Sequence, residues 1–140
     1  MIFARLTAQL GALARAPREV ADTTRDDLAV ELAVETVERT RRASGRAQAS
    51  TRVSVGAPQE AGLPEGSYPK PGRASFEDSV RRRQPGQRFV TQVARNRGFD
   101  YAGHHARRDD TPAKALAATR SKLPAILKRT LGEAVRRALR

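Results

Sequence analysis

The sequence predicts an α+β fold in a single domain, since 140 residues leave room for about one. Charged segments with apolar residues at helical spacing occupy both ends of the chain, over residues 1–43 and 111–140. Between them lie short stretches in which apolar and polar residues alternate, separated by a segment rich in Pro and Gly. The resulting order of helix, strand, loop, hairpin and helix is typical of an α+β domain.

Residues 1–43 are predicted to be helical. An amphipathic first helix should break at Pro17, because proline lacks the backbone N–H of a helix interior. A longer helix should follow over residues 18–43, with acidic side chains early and arginines late, as the helix dipole favours. Gly45 is the expected stop. The apolar positions are Ile2, Leu6, Leu10 and Leu13 in the first stripe, and Leu28, Val30, Leu32, Ala33, Val34 and Val37 in the second.

The middle of the chain predicts a strand, a loop and a hairpin. Alternation around Val53 indicates a strand with one buried face over residues 49–56. Residues 57–75 should be a long extended loop, and we expect its Leu63 and Tyr68 to bind a partner because long ordered loops in small domains are usually functional. The hairpin is predicted over residues 76–95 and turns at Pro85-Gly86.

The C-terminal part should be mainly helical. Residues 98–110 indicate irregular structure or a short helix. Thr111-Pro112 is a good N-cap and first-turn pair for the helix over residues 111–140, which Pro124 should restart. The predicted apolar stripe of this helix consists of Ile126, Leu127, Leu131, Ala134, Val135 and Leu139.

The net charge of +12 is unevenly distributed. Residues 1–43 carry seven basic and seven acidic side chains, residues 44–110 carry twelve and seven, and residues 111–140 carry eight and one. Such a chain could bind nucleic acid without sequence specificity. The absence of cysteine excludes disulfides and thiolate metal sites, and no segment approaches the roughly 20 apolar residues of a membrane span.

The sequence predicts no enzyme, no cofactor site and no metal site. His104 and His105 lie near three aspartates, but adjacent histidines rarely point the same way, so we expect a structural or surface role. The serines lack a Gly-x-Ser-x-Gly context. The sequence does not predict that the glycines of residues 56–72 follow a strand and open a helix, as a phosphate-binding loop requires.

The densest charge cluster is Arg81-Arg82-Arg83, beside the predicted hairpin turn, with Arg88 beyond that turn. These guanidinium groups could contact phosphates, or they could be a solvated tip that protects a strand edge from aggregation. In an alternating strand Arg82 points away from Arg81 and Arg83. Arg81, Arg83 and Arg88 are therefore the candidates for a DNA channel or an intersubunit contact.

Several short motifs occur in an order that resembles a known family. They are Ser44-Gly45-Arg46-Ala47, Val53-Ser54-Val55-Gly56-Ala57-Pro58, Asn96, Phe99-Asp100-Tyr101-Ala102 and Thr111-Pro112-Ala113. Over roughly residues 22–140 the chain resembles the minor tail and tail-completion proteins of long-tailed bacteriophages. Tail-terminator, neck and gene-transfer-agent versions remain open.

This resemblance implies a structural virion subunit at the tail end or head-tail junction. It implies a ring of identical subunits, commonly a hexamer, that joins the tail-tube protein to head-connector or stopper proteins and leaves a channel for transient contact with DNA. Assembly would take place in the cytoplasm of the bacterial host. The composition supports an alternative, a small basic nucleic-acid-binding protein.

Overall fold

The computed structural model describes residues 2–42, 45–59, 62–80, 86–93, 95–96 and 99–140. A long first helix, a two-stranded antiparallel sheet and a C-terminal helix confirm the predicted α+β class. The elements are α1 (Ile2–Arg39), α2 (Arg46–Ala49), β1 (Thr51–Val55), α3 (Arg73–Val80), β2 (Arg88–Gln92), β3 (Arg95–Asn96), β4 (Phe99–Asp100), α4 (Tyr101–Asp109) and α5 (Thr111–Ala138).

Helices α1 and α5 form an antiparallel pair. At one end the side-chain amide of Gln9 donates to the carbonyl oxygen of Leu139 at 3.2 Å. Between the two ends the hydroxyls of Thr24 and Thr130 meet at 3.1 Å in a buried contact. The buried side chains of α5 are mostly small, which lets the two helices approach closely. They are Thr111, Ala115, Thr119, Ile126, Thr130, Ala134 and Ala138.

Neither proline interrupts its helix. The predicted break at Pro17 is wrong, and so is the predicted restart at Pro124, because α1 and α5 run continuously through both positions. A proline inside a helix loses one backbone hydrogen bond, and tertiary packing between the two helices offsets that loss. Gly45 does not end α1, which stops at Arg39; it precedes α2 with a φ of 79°.

The predicted hairpin over residues 76–95 is also wrong. Its first half forms helix α3, in which Phe76 and Val80 are buried four residues apart on one helical face. Strand β2 pairs instead with β1, and Val53 lies opposite Val90. The strand predicted over residues 49–56 is found over Thr51–Val55 as β1, whereas Ala49 belongs to α2. The hydrophobic core joins α1, β1 and α3 and contains Ala29, Val30, Ala33, Val37, Val53, Phe76 and Val80.

The loop after β1 is shorter than predicted. The described residues from 57 to 72 have neither helical nor strand structure, as expected, whereas residues 73–75 already belong to α3. Of the two alternatives for residues 98–110, the short helix is correct over α4. Helix α5 begins at Thr111 as predicted, but its N-cap is Asp110, which makes no capping hydrogen bond through its side chain.

Candidate assembly surface

The loop that contains Leu63 and Tyr68 is held against its own chain. The guanidinium Nε of Arg46 donates to the carbonyl oxygen of Leu63 at 2.8 Å, and the hydroxyl of Tyr68 donates to the carbonyl of Pro64 at 2.8 Å. The backbone of Gly45 lies so close to the loop that a Cβ on Gly45 would be 2.2 Å from the carbonyl oxygen of Tyr68. Leu63 and Tyr68 are therefore half-buried against the rest of the chain and only partly available to a partner.

Arg88 does not lie on the surface. Its Nε donates to the carboxylate of Asp26 at 2.7 Å and its Nη1 donates to the carbonyl of Gly86 at 2.9 Å. Only 2% of the side chain is exposed. Arg88 therefore links β2 to α1 within the chain, and its role in a channel or an intersubunit contact stays a prediction. Arg81 and Arg83 lie outside the described residues.

The acidic side chains of α1 hold basic side chains from other elements. Lys122 of α5 donates to Glu31 at 2.9 Å and to Glu35 at 2.6 Å. Arg73 at the start of α3 also pairs with Glu31. Among the described residues, five basic side chains from outside α1 bind it in this way, since Arg129 pairs with Asp27 at 2.9 Å, Arg88 pairs with Asp26 and Lys70 pairs with Glu38. Although residues 1–43 have no net charge, the acidic side chains of α1 form a surface that binds basic side chains from other elements.

These ion pairs change the pKa values of their members. Burial raises the pKa of Glu31, but hydrogen bonds from Arg73 and Lys122 outweigh this effect and place it below 4.5. The hydrogen bond from Lys122 is the main cause that lowers the pKa of Glu35. The reciprocal hydrogen bonds to Glu35 and Glu31 raise the pKa of Lys122 above 10.5. Both carboxylates and the ammonium group are thus charged near neutral pH.

An open apolar groove of about 620 Å³ lies between α1, α5 and β2. Its apolar lining, which we call the β2 groove, consists of Leu28, Ala29, Leu32, Val90, Leu116 and Leu123. Leu116 is 40% exposed. A second depression of about 350 Å³ continues from it and shares Leu32, Val90 and Leu116 with it. The sequence does not reveal this groove, because its residues come from three segments that are far apart in the chain.

The strand beside this groove has an unpaired edge. In the described part of the chain β2 pairs with β1 alone, so no described strand pairs with the backbone N–H and C=O groups of its other edge. Apolar side chains next to such an edge can bind an extended segment, which gains main-chain hydrogen bonds and apolar contacts together. The β2 groove with this edge is the candidate assembly surface.

Other kinds of site have less support from the described residues. No three histidine or acidic side chains among them come close enough to hold a metal ion. His104 is exposed on α4, and the side chain of His105 lies outside the described part. No described helix is both long and apolar enough to span a membrane. Comparison of the chain with protein-family models, curated proteins and solved structures gives no match.

Proposed function

We propose that this chain is a non-enzymatic structural subunit that forms a ring at the tail end or head-tail junction of a phage-like particle. The observation that carries the proposal is the β2 groove beside an unpaired strand edge. A subunit that offers a groove to a different surface of its neighbour makes head-to-tail contacts, and such contacts close into rings when the rotation permits. The motif order described above supplies the phage-tail context.

The proposed ring also determines the expected partners and the expected contacts with DNA. Its partners would be further copies of this chain, the tail-tube protein and the head-connector or stopper protein. Passing DNA requires few and non-specific basic contacts, because tight binding would stall passage. With Arg88 paired to Asp26 inside the subunit, Arg81 and Arg83 are the remaining candidates for those contacts.

A charge placed in the β2 groove should prevent ring formation. Leu116→Lys introduces an ammonium group into the groove, whose lining already includes Arg25, Arg88 and Arg120, so burying it there without an acidic partner is costly. Ala117→Lys is the matched control, since it adds the same charge to the exposed next position of the same helix. Sedimentation velocity and negative-stain imaging, with the chain alone and with its tail-tube protein, should show rings for the wild type and Ala117→Lys but smaller species for Leu116→Lys.

Two results would contradict this proposal. One is a wild-type chain that stays monomeric both alone and with its tail-tube protein, since such a chain does not form the ring. The basic nucleic-acid-binding alternative is favoured if that monomer binds duplex DNA with an affinity that falls steeply as salt rises. Exposed basic residues without an ion pair in the described part of the chain would then carry the binding; they include Arg107, Arg108, Lys114, Arg120 and Lys128.

A further inference from the structure

Among the described residues, the β2 groove has basic side chains in its lining but no acidic one. Arg25, Arg88 and Arg120 line it together with the apolar residues named above. Arg25 and Arg88 both donate to Asp26 within the chain. Arg120 is exposed and makes no ion pair with another described residue. The groove therefore combines an apolar surface with one guanidinium group that is available to a carboxylate.

The net charge of +12 restricts which part of a second copy can enter this groove. Two copies repel each other, and a basic segment would bring a second positive charge close to Arg120. The segment that enters should therefore be free of basic residues and carry a carboxylate. The longest stretch without lysine or arginine runs from Val53 to Pro69, and it contains Glu60 and Glu65. This stretch is acidic although the whole chain is strongly basic.

The second half of this stretch, in the loop after β1, is exposed and held in place. Residues 64–67 are exposed, and among them Glu65 makes no ion pair with another described residue. On either side, Leu63 and Tyr68 are half-buried, and each takes part in a hydrogen bond of 2.8 Å. A segment that is already ordered loses less conformational entropy when it binds. The loop thus presents a carboxylate between two partly exposed apolar side chains.

The loop and the β2 groove lie at different places on one chain. No described residue of the loop lines the groove. Lys70, at the end of the loop, pairs with Glu38, which lies beyond the groove residues of α1. A contact between the loop of one copy and the groove of the next therefore joins two different surfaces. Repeated contacts of this kind are head-to-tail, and they close into a ring when the rotation permits.

The geometry points to residues 62–69 of a neighbouring copy as the segment that occupies the β2 groove, with the carboxylate of Glu65 bound to Arg120. This inference rests on the proposed ring and names the part of the neighbour that makes the contact. Leu63 and Tyr68 supply apolar contacts, and an extended segment beside the unpaired edge of β2 gains main-chain hydrogen bonds. Each pair of Glu65 with Arg120 also reduces the charge repulsion between neighbours.

Exchanging the charges of these two residues tests the contact. Arg120→Glu or Glu65→Lys alone should raise the protein concentration needed for ring formation more than about tenfold, because like charges would meet. An equimolar mixture of the two variants should form rings again, since each loop then meets a groove of opposite charge on the other variant. Lys114→Glu and Glu19→Lys are the matched controls, because they make the same charge changes at exposed positions outside the groove and the loop. Sedimentation velocity compares these samples with the wild type.

Failure of this inference is distinguishable from failure of the ring. If Glu65→Lys forms rings as readily as the wild type while Leu116→Lys does not, another segment occupies the groove and the inference is wrong. A mixture that does not recover has the same meaning.

If the wild type forms no ring, direct binding decides between the two failures. A synthetic peptide of residues 62–69, capped at both ends, should bind the full chain with a dissociation constant below about 1 mM in fluorescence anisotropy. The peptide with Glu65→Lys should bind more weakly, and so should the wild-type peptide to the Leu116→Lys chain. Absence of binding up to about 1 mM, or equal binding in all three combinations, would overturn the inference.

Discussion

Arg88 is a positive charge held inside the fold. Its side chain is 2% exposed and that of its partner Asp26 is 19% exposed, so the pair is largely removed from water. A buried pair contributes little net stability, but removal of one member leaves the other charge uncompensated. The structural role of Arg88 therefore depends on Asp26, which lies 62 residues earlier in the chain.

Asp26→Asn should lower the free energy of unfolding by about 3 kcal/mol, because it leaves Arg88 buried with a neutral partner. Asp22→Asn is the control. Asp22 is 57% exposed and pairs with Arg25 at 3.6 Å, so its loss should cost less than about 1 kcal/mol. Urea denaturation monitored by circular dichroism measures both changes, and equal losses would show that the Arg88 pair has no special weight.

The contacts of Lys122 predict a loss of stability in acid. Glu31 and Glu35 have lowered pKa values in the folded state, so their contribution to stability is present above 4.5 and disappears as pH falls through their folded values. Glu31→Gln should reduce the slope of unfolding free energy against pH below 4.5. Exposed Glu65→Gln is the control. Identical slopes in the two variants would mean that Glu31 does not carry the effect.

The raised pKa of Lys122 predicts a loss of stability at high pH. The contribution of Lys122 to folding stability is complete below 10.5 and is lost as pH rises through its folded pKa. The sequence does not predict the bridge between Lys122 and the two glutamates, because partners about 90 residues apart leave no local pattern. Charge counts along the chain show where basic residues lie but not which ones are neutralised by the fold.

At the scale of single elements, α3 shows why a pattern can be misread. Phe76, Asp78 and Val80 alternate as in a strand, yet Phe76 and Val80 are also four residues apart, as on one face of a helix. Over eight residues the two periodicities cannot be distinguished. In the structure both side chains are buried against α1 and β1 from one face, and the segment is a helix. The long helices were easier to predict because their patterns extend over many turns.

Gly45 is the element-scale test of how the loop is held. Gly45→Ala would place a Cβ 2.2 Å from the carbonyl oxygen of Tyr68, in a backbone conformation with φ of 79° that disfavours alanine. We expect a loss of about 2 kcal/mol and faster proteolysis between residues 57 and 72. Gly72→Ala is the control, since a Cβ there meets nothing within 4 Å. Equal cleavage in both variants would show that the Gly45 contact does not hold the loop.

For the whole molecule, the sequence predicts the helical ends and the class, but not what joins them. Strand β1 pairs with β2 across a loop and a helix, and an alternating pattern does not specify its partner strand. The same limit applies to the candidate surface, since the β2 groove exists only after α1, α5 and β2 come together. The sequence predicts the leucines of α5 as an apolar stripe, but α1 packs against the small residues beside them and leaves most of these leucines exposed.

The pairing of α1 with α5 also affects how the chain is synthesised. Translation produces residues 2–39 long before residues 111–138, although each helix buries its side chains against the other. Contacts between such distant segments form late and slow folding, because a long loop must close before they contribute. The first helix therefore leaves the ribosome without its main partner, and its exposed apolar side chains are a target for chaperones until the last helix has been made.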